Sequence, residues 1–376
     1  MPGLLSDIDP DGLLEFSVVF TDRSVNHMSQ KFQDVMKEVS STLKRVYNAE
    51  AVAVVPGGGT YGMEAVARQF ATGKRCLVVR NGFFSFRWTQ ILEMGSIGSE
   101  HIILKASRIS DTPDAPFAPR PVDEVCETIQ TKQPQVVFAP HVETSAGILL
   151  PDDYIRTIAD ATHKAGGLFV LDCIASGAMW VDMQANNVDV LISAPQKGWS
   201  GSPCSALVMM NEKAQSAIEE TASTSFAADL KKWLQIMRAY ENGGHAYHAT
   251  MPTDALIQFR DAMRETEAYG LEKLRGQQIE LGQRVRQLLS ERGIKSVAAD
   301  GFQAPGVIVS YTNDNNVQTG KAFEEVGLQI AAGVPLQCDE GADFRSFRLG
   351  LFGLEKLKNV DRTVDTLRKA LDKVYG

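Results

Sequence analysis

Two side chains in this sequence stand where covalent and acid–base chemistry could be done: Lys197 and Asp172. Lys197 lies in Ser193-Ala194-Pro195-Gln196-Lys197-Gly198-Trp199-Ser200, directly after the run Val188-Asp189-Val190-Leu191-Ile192, which reads as a buried strand. An amine at the mouth of a buried strand is partly desolvated, which lowers its pKa and favours the neutral, nucleophilic form. Such an amine can form a Schiff base with a carbonyl compound. On this segment alone, a solvated Lys on a surface loop is the competing reading. Asp172 closes Leu168-Phe169-Val170-Leu171-Asp172, a buried-type strand ending in a carboxylate. A buried ion is costly unless it is paired. At the C-terminal edge of a parallel sheet it would face the crevice where such folds bind ligands. Opposite a pyridine nitrogen it would keep that nitrogen protonated and the ring electron-withdrawing. An Asp that caps a turn through nearby backbone donors is the alternative.

Two further stretches suit anions. Pro56-Gly57-Gly58-Gly59-Thr60 sits between a strand-like and a helix-like segment. Its glycines let the backbone approach a ligand, and the following helix start offers free N–H groups and a positive dipole end. Thr60 adds a hydroxyl. No G-K-[ST] follows, which argues against a nucleoside triphosphate, and a plain Gly-rich turn is the other reading. Near the end, Phe347-Arg348-Leu349-Gly350 places an Arg inside an apolar run. A guanidinium offers a planar two-pronged fit to a carboxylate. Arg345 is a weaker second candidate for an anion contact.

These residues need a scaffold, and the chain supplies alternating strand-like and helix-like segments, the pattern of a parallel sheet covered by helices. Strands are expected at 51–55, 76–80, 101–104, 135–139, 168–172, 188–193 and 206–210. Helices are expected at 29–47, 61–70, 122–131, 153–165 and 213–221. The first of these carries Phe32, Val35, Met36, Val39, Leu43 and Val46 at helical spacing. Beyond Met251-Pro252-Thr253 the character changes to a long polar helical stretch, 254–292, interrupted by Gly270, then strands at 306–311 and 346–351 and an amphipathic helix over 360–374. The expected organisation is an N-terminal segment 1–25, a large α/β domain 26–252 and a small α+β domain 253–376.

Composition narrows the classes. The 376 residues are 44% hydrophobic and 22% charged, the profile of a globular protein with a substantial core. A net charge of −8 argues against nucleic-acid binding and against attraction to anionic membranes. Five scattered cysteines, an odd number without a C-x-x-C pair, suit a reducing compartment, so a cytoplasmic location is expected. Neither a secretory signal nor a membrane-spanning run is read from the sequence, and no metal site is assigned.

Taken together, the strand–Gly loop–helix, the strand–Asp and the strand–Gln–Lys occur in the order found in fold-type I, class V pyridoxal-phosphate aminotransferases. From about Asn26 to the C-terminus the chain resembles their alanine–glyoxylate and serine–glyoxylate (serine–pyruvate) branch. The resemblance implies an α/β fold with a mostly parallel central sheet and a smaller C-terminal α+β domain. It implies that Lys197 carries pyridoxal 5′-phosphate and that Asp172 pairs with the pyridinium nitrogen. Gly58-Gly59-Thr60 looks like the family's phosphate cup, and Gln196 is similar to its phosphate-side Gln. Asn81-Gly82-Phe83-Phe84-Ser85-Phe86-Arg87 resembles the segment whose aromatic ring stacks on the cofactor, which points to Phe84, where the branch often has the larger Trp. His141-Val142-Glu143-Thr144-Ser145-Ala146-Gly147 implies that Thr144 bonds the ring hydroxyl. Tyr247-His248-Ala249-Thr250-Met251-Pro252 implies that Tyr247 and Thr250 reach the phosphate of a neighbouring subunit, hence a homodimer with shared sites. Arg348 would bind the substrate α-carboxylate. The implied reaction moves an amino group from a small amino acid, such as alanine or serine, to a 2-oxo acid such as glyoxylate or pyruvate.

The branch's usual Pro-Gly-Pro opening is absent; Phe16-Ser17-Val18-Val19-Phe20-Thr21-Asp22-Arg23 stands in its place, followed by Asn26-His27-Met28-Ser29. Two alternatives stay open. A lyase or cysteine desulfurase of the same fold would need a mobile cysteine before the carboxylate-binding Arg, and Cys338 is in the right region, although Asp339 and Glu340 beside it would raise its pKa. A non-catalytic protein that keeps the cofactor fold is the other.

Overall fold

The computed structural model describes residues 8–10 and 12–376. Seven strands form the main sheet: β1 (Ala51–Pro56), β2 (Arg75–Arg80), β3 (Glu100–Lys105), β4 (Val136–Pro140), β5 (Leu168–Asp172), β6 (Val190–Ser193) and β7 (Ser205–Met210). Their order across the sheet is β1-β7-β6-β5-β4-β2-β3. β7 is antiparallel to both neighbours, and every other pairing is parallel, so β1 runs with the remaining strands. β4 to β7 are buried along their whole length. Burial on both faces is why these strands read as continuous apolar runs rather than alternating ones.

Helices α1 (Gln30–Tyr47), α2 (Gly59–Phe70), α3 (Phe83–Met94), α4 (Val122–Lys132), α5 (Asp152–Lys164), α6 (Glu212–Glu220) and α7 (Leu230–Glu241) belong to this large unit. α1 shows how local signals and burial agree. Ser29 caps it by accepting from the Phe32 N–H at 3.2 Å, Asn48 ends it in a left-handed conformation, and Phe32, Val35, Met36, Val39 and Leu43 are buried. Each such side chain contributes about 1.5–3 kcal/mol. α3 and α7 were not anticipated. The first is opened by Gly82 and Ser85 rather than by a strong polar cap, whereas the second is legible in its Asp229 cap and in the helical spacing of Leu230, Trp233, Leu234, Met237 and Tyr240. α2 starts at Gly59, earlier than the expected Tyr61, which makes Gly58 its N-cap.

The long helical stretch divides at Gly270, where φ is +107°, into α8 (Thr253–Tyr269) and α9 (Leu271–Ser290). α8 sends Leu256, Phe259 and Met263 into the core of the large sheet. α9 instead packs Leu274, Leu281, Val285 and Leu289 with α10 (Val360–Tyr375) against a second sheet. That sheet is antiparallel, in the order β8 (Val307–Tyr311), β10 (Ser346–Gly350), β9 (Ala331–Ala332). Among the described residues no helix is long and apolar enough to cross a membrane.

Candidate active site

The strand register sets the site. Asp172, the last residue of β5, stands level with Pro140 of β4 and Ile192 of β6. Lys197 follows β6 by one short turn, and α2 begins where β1 ends. All three therefore meet at the carboxyl edge of the sheet, where the ends of parallel strands leave a crevice. There a cavity of about 410 Å³ is lined by Gly59, Thr60, Phe84, Thr144, Asp172, Gln196, Lys197 and Arg348, together with Met63, Arg87, Val142, Ile174, Ala175, Val307, Ala331, Gly350 and Phe352. A larger hollow of about 910 Å³, between residues 109–118 and 286–303, contains none of these groups.

Lys197 is half-buried, with its Nζ 5.1 Å from the centre of the Phe352 ring. Burial, helped by the positive charges of Arg348 and Arg87, holds its pKa below the usual lysine range. The neutral amine is correspondingly favoured. Asp172 is 8% exposed, and among the described residues its carboxylate accepts one hydrogen bond, from the Ile174 N–H to Oδ1 at 3.0 Å. Burial pushes its pKa up to about 7, the Ile174 bond and Arg87 opposing and Glu143 adding to the rise. Among the described residues no cationic side chain forms an ion pair with it; the sheet thus presents a desolvated acid to the cavity.

The phosphate-like cup is open in the same direction. Gly58 caps α2 with no side chain, and a Cβ built on it would meet nothing within 4 Å. A Cβ at Gly59 would instead meet the Ile174 side chain at 2.6 Å, so a larger residue there would have to displace Ile174 from the cavity wall. The Gln196 side-chain oxygen is buried without a partner. Thr60 Oγ1 accepts from Arg87 Nη1 at 3.1 Å.

Arg348 projects from β10 and so brings the small sheet into the site. Its Nε donates to the Ala332 carbonyl at 2.8 Å, and its guanidinium lies 5.5 Å from the Phe84 ring centre. Burial lowers its pKa, and the Glu143 charge opposes that shift.

Phe84 is held by a device the sequence did not reveal as such. Glu143 is 0% exposed and accepts from the Phe84 N–H (3.2 Å), the Ser85 N–H (2.8 Å) and hydroxyl (2.7 Å), and the Ser145 N–H (3.0 Å) and hydroxyl (2.7 Å). One carboxylate thereby fastens the start of α3, and with it Phe84, to the turn that carries Thr144. Every group facing it is a donor, so an amide in its place would set an NH₂ against N–H and O–H groups. Glu143→Gln is expected to lower stability by about 3 kcal/mol, read from the denaturant midpoint of the cofactor-free protein; an unchanged midpoint would contradict this account.

Five sequence-derived candidates are placed elsewhere. Tyr247 is 53% exposed and bonds Thr250 hydroxyl to hydroxyl at 3.1 Å, and neither lines the cavity of its own chain. Arg345 is exposed, bonds Asn315 at 2.9 Å and does not line the cavity. Gly58 supplies the helix cap rather than a lining surface. Cys338 is buried, its thiol 3.5 Å from the Arg80 carbonyl, and burial with Glu143 and Glu340 pushes its pKa up to about 12. It lines no part of the cavity, which removes the nucleophile a desulfurase would need. The sequence reading assigned no role to Arg87, Glu143 or Phe352. Helical spacing from Phe83 and Phe84 was the only available signal for Arg87, and it required knowing that α3 is a helix.

Comparison with known proteins was made on both sequence and structure. The family model Aminotransferase class-V matches residues 15–334. Alanine–glyoxylate aminotransferase of Rattus norvegicus is 25% identical over 359 residues, covering 93% of this chain and 82% of the relative. The 2-aminoethylphosphonate–pyruvate transaminase of Salmonella dublin is 24% identical over 328 residues, covering 85% and 83%. Among solved structures, alanine–glyoxylate aminotransferase from Nostoc sp. superposes with a TM-score of 0.75 at 21% identity, covering 93% of this chain and 89% of that one.

Proposed function

The chain belongs to the class-V aminotransferase family, and from that premise we propose that it moves an amino group from a small amino acid to a 2-oxo acid, with pyridoxal phosphate held in the 410 Å³ cleft. The observation that carries this reading is the pairing of one desolvated amine, Lys197, with one desolvated acid that lacks a cationic partner, Asp172, across a single cavity. The residues present fit the cofactor. A buried carboxylate without a counter-charge suits a protonated ring nitrogen, the bare helix start at Gly58 and Gly59 suits a phosphate, and the orphaned Gln196 oxygen is a polar group without a protein partner.

In this reading Lys197 would hold the cofactor's aldehyde, Asp172 its ring nitrogen, Thr144 its ring hydroxyl, Phe84 its flat face, and Gly58, Gly59, Thr60 and Gln196 its phosphate. Bound there, pyridoxal phosphate supplies an electron sink for negative charge at the α-carbon of an amino acid. Once the amino group of the substrate has replaced it at the aldehyde, the freed Lys197 amine, with its depressed pKa, would take the proton from that α-carbon as general base and return one as general acid. Arg348 grips the α-carboxylate and so fixes which bond at the α-carbon is presented. Phe352, beside Lys197, closes one wall against water. Alanine, serine and similar small donors with glyoxylate or pyruvate as acceptor are the substrates of this reading; the rat relative is named for alanine and glyoxylate, and the Salmonella one for 2-aminoethylphosphonate and pyruvate.

The proposal includes a homodimer. Its support is that Tyr247 and Thr250 bond each other outside the cavity of their own chain, and that Leu13, Phe16 and Val18 expose apolar side chains along the N-terminal segment. It also includes a reducing, cytoplasmic setting, supported by five unpaired cysteines.

The test is a half-reaction screen: single amino acids are added to the loaded protein and the visible absorbance of the bound cofactor is followed. Bleaching by alanine, serine or another small amino acid is expected, and Arg348→Gln should need about a hundredfold more of the same amino acid, the loss of a charge-assisted two-pronged contact. No bleaching with any amino acid, aspartate and aminoethylphosphonate included, would defeat the proposal.

A further inference from the structure

We propose that Arg87 is the cationic anchor for the phosphate of the cofactor, supplied from α3 rather than from the lysine turn. The inference rests on the reading of this cleft as a pyridoxal-phosphate site and adds a residue to it. A phosphate monoester carries close to two negative charges near neutrality, and a helix start offers only about half a positive charge. The cup at Gly58, Gly59 and Thr60 contains no charged side chain of its own, and the first turn of α2 has no acidic residue to repel an anion.

Three cations line the cavity: Lys197, Arg348 and Arg87. Lys197 is committed to the aldehyde. Arg348 is tied to the Ala332 carbonyl on the small sheet. Arg87 alone touches the cup, donating from Nη1 to Thr60 Oγ1 at 3.1 Å. Because Thr60 accepts in that bond, its own hydroxyl proton is free to point at a ligand oxygen. The Arg87 guanidinium also lies 4.7 Å from the centre of the Phe84 ring, a cation–π contact that limits where its plane can go. Among the described residues it has no carboxylate partner within ion-pair distance, so its charge is available to an external anion. A guanidinium with four N–H groups still free matches a phosphate edge in the two-pronged way that an ammonium cannot.

This role differs from that of a prop for Phe84, and the two separate on ligands with and without the phosphate. Cofactor-free wild type, Arg87→Gln and Arg87→Lys are titrated with pyridoxal phosphate and with pyridoxal, following the absorbance of the bound form. Arg87→Gln should weaken pyridoxal phosphate by about tenfold to a hundredfold, the range for a hydrogen bond to a charged group, and leave pyridoxal unchanged. Arg87→Lys should fall between, since it keeps the charge and loses the fork. Inorganic phosphate should raise the melting temperature of the cofactor-free wild type and raise it less in Arg87→Gln; the wild-type half of this measurement stands even if the variant folds poorly. Equal weakening of both ligands would show that Arg87 only supports Phe84, and no weakening of either would also overturn the proposal. A raised KM for dicarboxylic amino acids with unchanged cofactor affinity would reassign Arg87 to substrate. If wild type bound pyridoxal but gained nothing from the phosphate, this inference would fail while the cofactor site stood; if it bound neither, the underlying reading would fall with it.

Discussion

Lys197→Ala is expected to lower steady-state transamination by at least ~10³-fold while the chain still folds and still retains the cofactor noncovalently. The size follows from what the amine does in the cleft. General acid–base transfer at the α-carbon contributes roughly 10²–10⁴, and the covalent hold on the aldehyde adds to that. Folding should survive because Lys197 is only half-buried and makes no ion pair among the described residues; its main neighbour is the Phe352 ring. The measurement is a single-turnover and a steady-state assay with the donor identified by the screen, together with mass spectrometry after borohydride reduction. Wild type should carry a reduced adduct on the peptide containing Lys197 and the variant none. An adduct on another lysine, or substantial turnover by the variant, would remove the assignment.

The second large effect is a conflict between stability and catalysis at Asp172. Its folded-state pKa is raised by burial from 3.8 to about 7 in the cofactor-free protein. The sign follows from linkage. Below pH 4 the acid is protonated in both states and costs nothing. Between about pH 4 and pH 7 the unfolded chain ionises while the folded chain resists, so stability falls as pH rises. Above pH 7 the folded form is ionised too and the penalty is constant, at about 4 kcal/mol. Asp172→Asn should therefore leave the cofactor-free protein more stable than wild type at pH 8, with the difference shrinking toward pH 4. The same change removes the charge that keeps the ring nitrogen protonated, and turnover should drop by about 10²-fold or more, as expected when electrostatic support of a developing charge is lost. Denaturant midpoints across pH and kcat for the loaded variant read the two effects separately. A stability difference that does not change with pH would mean that the acid finds a partner in the folded chain.

These two effects share a cause. The sheet exposes an amine and an acid at strand ends, and burial makes each readier to react than it would be in water. Burial does most to depress the amine, with Arg348 and Arg87 adding to it, and burial raises the acid with no ion pair among the described residues to offset it. Glu143 is the counterweight: a buried carboxylate that is fully engaged, set where its charge favours the cationic form of Arg348 and the neutral form of Asp172.

Much of this protein was decided by local sequence. The apolar runs that end at Asp172 and precede Pro195 read as buried strands, because burial on both faces of a parallel sheet favours uninterrupted aliphatic residues. The glycines after β1 marked a place where backbone could approach a ligand at a helix start, and Gly270 marked a break in the long helical stretch, where the structure gives it a φ of +107°. For the same reason the types and order of Gly58, Gly59, Thr60, Asp172, Gln196, Lys197 and Arg348 already specified an amine–acid–anion chemistry.

Other features belonged to the tertiary structure, because they depend on distances between residues far apart in the chain. That β7 runs against its neighbours follows from where the chain re-enters the sheet, which no local periodicity records. Arg348 joins the site from within β10, whereas Arg345 lies just before the strand and turns to Asn315, a difference read only once the strand has a sheet to lie on. Which of two neighbouring anion-seeking residues faces the crevice is a choice made by packing. The same holds for Arg87, which meets Thr60 because α2 and α3 start side by side above the same sheet edge, and for Cys338, whose place in the chain suggested chemistry that its burial beneath Arg80 forbids. Composition and order determine which groups exist; the folded chain alone sets which are desolvated, paired or free, and reactivity follows from those conditions.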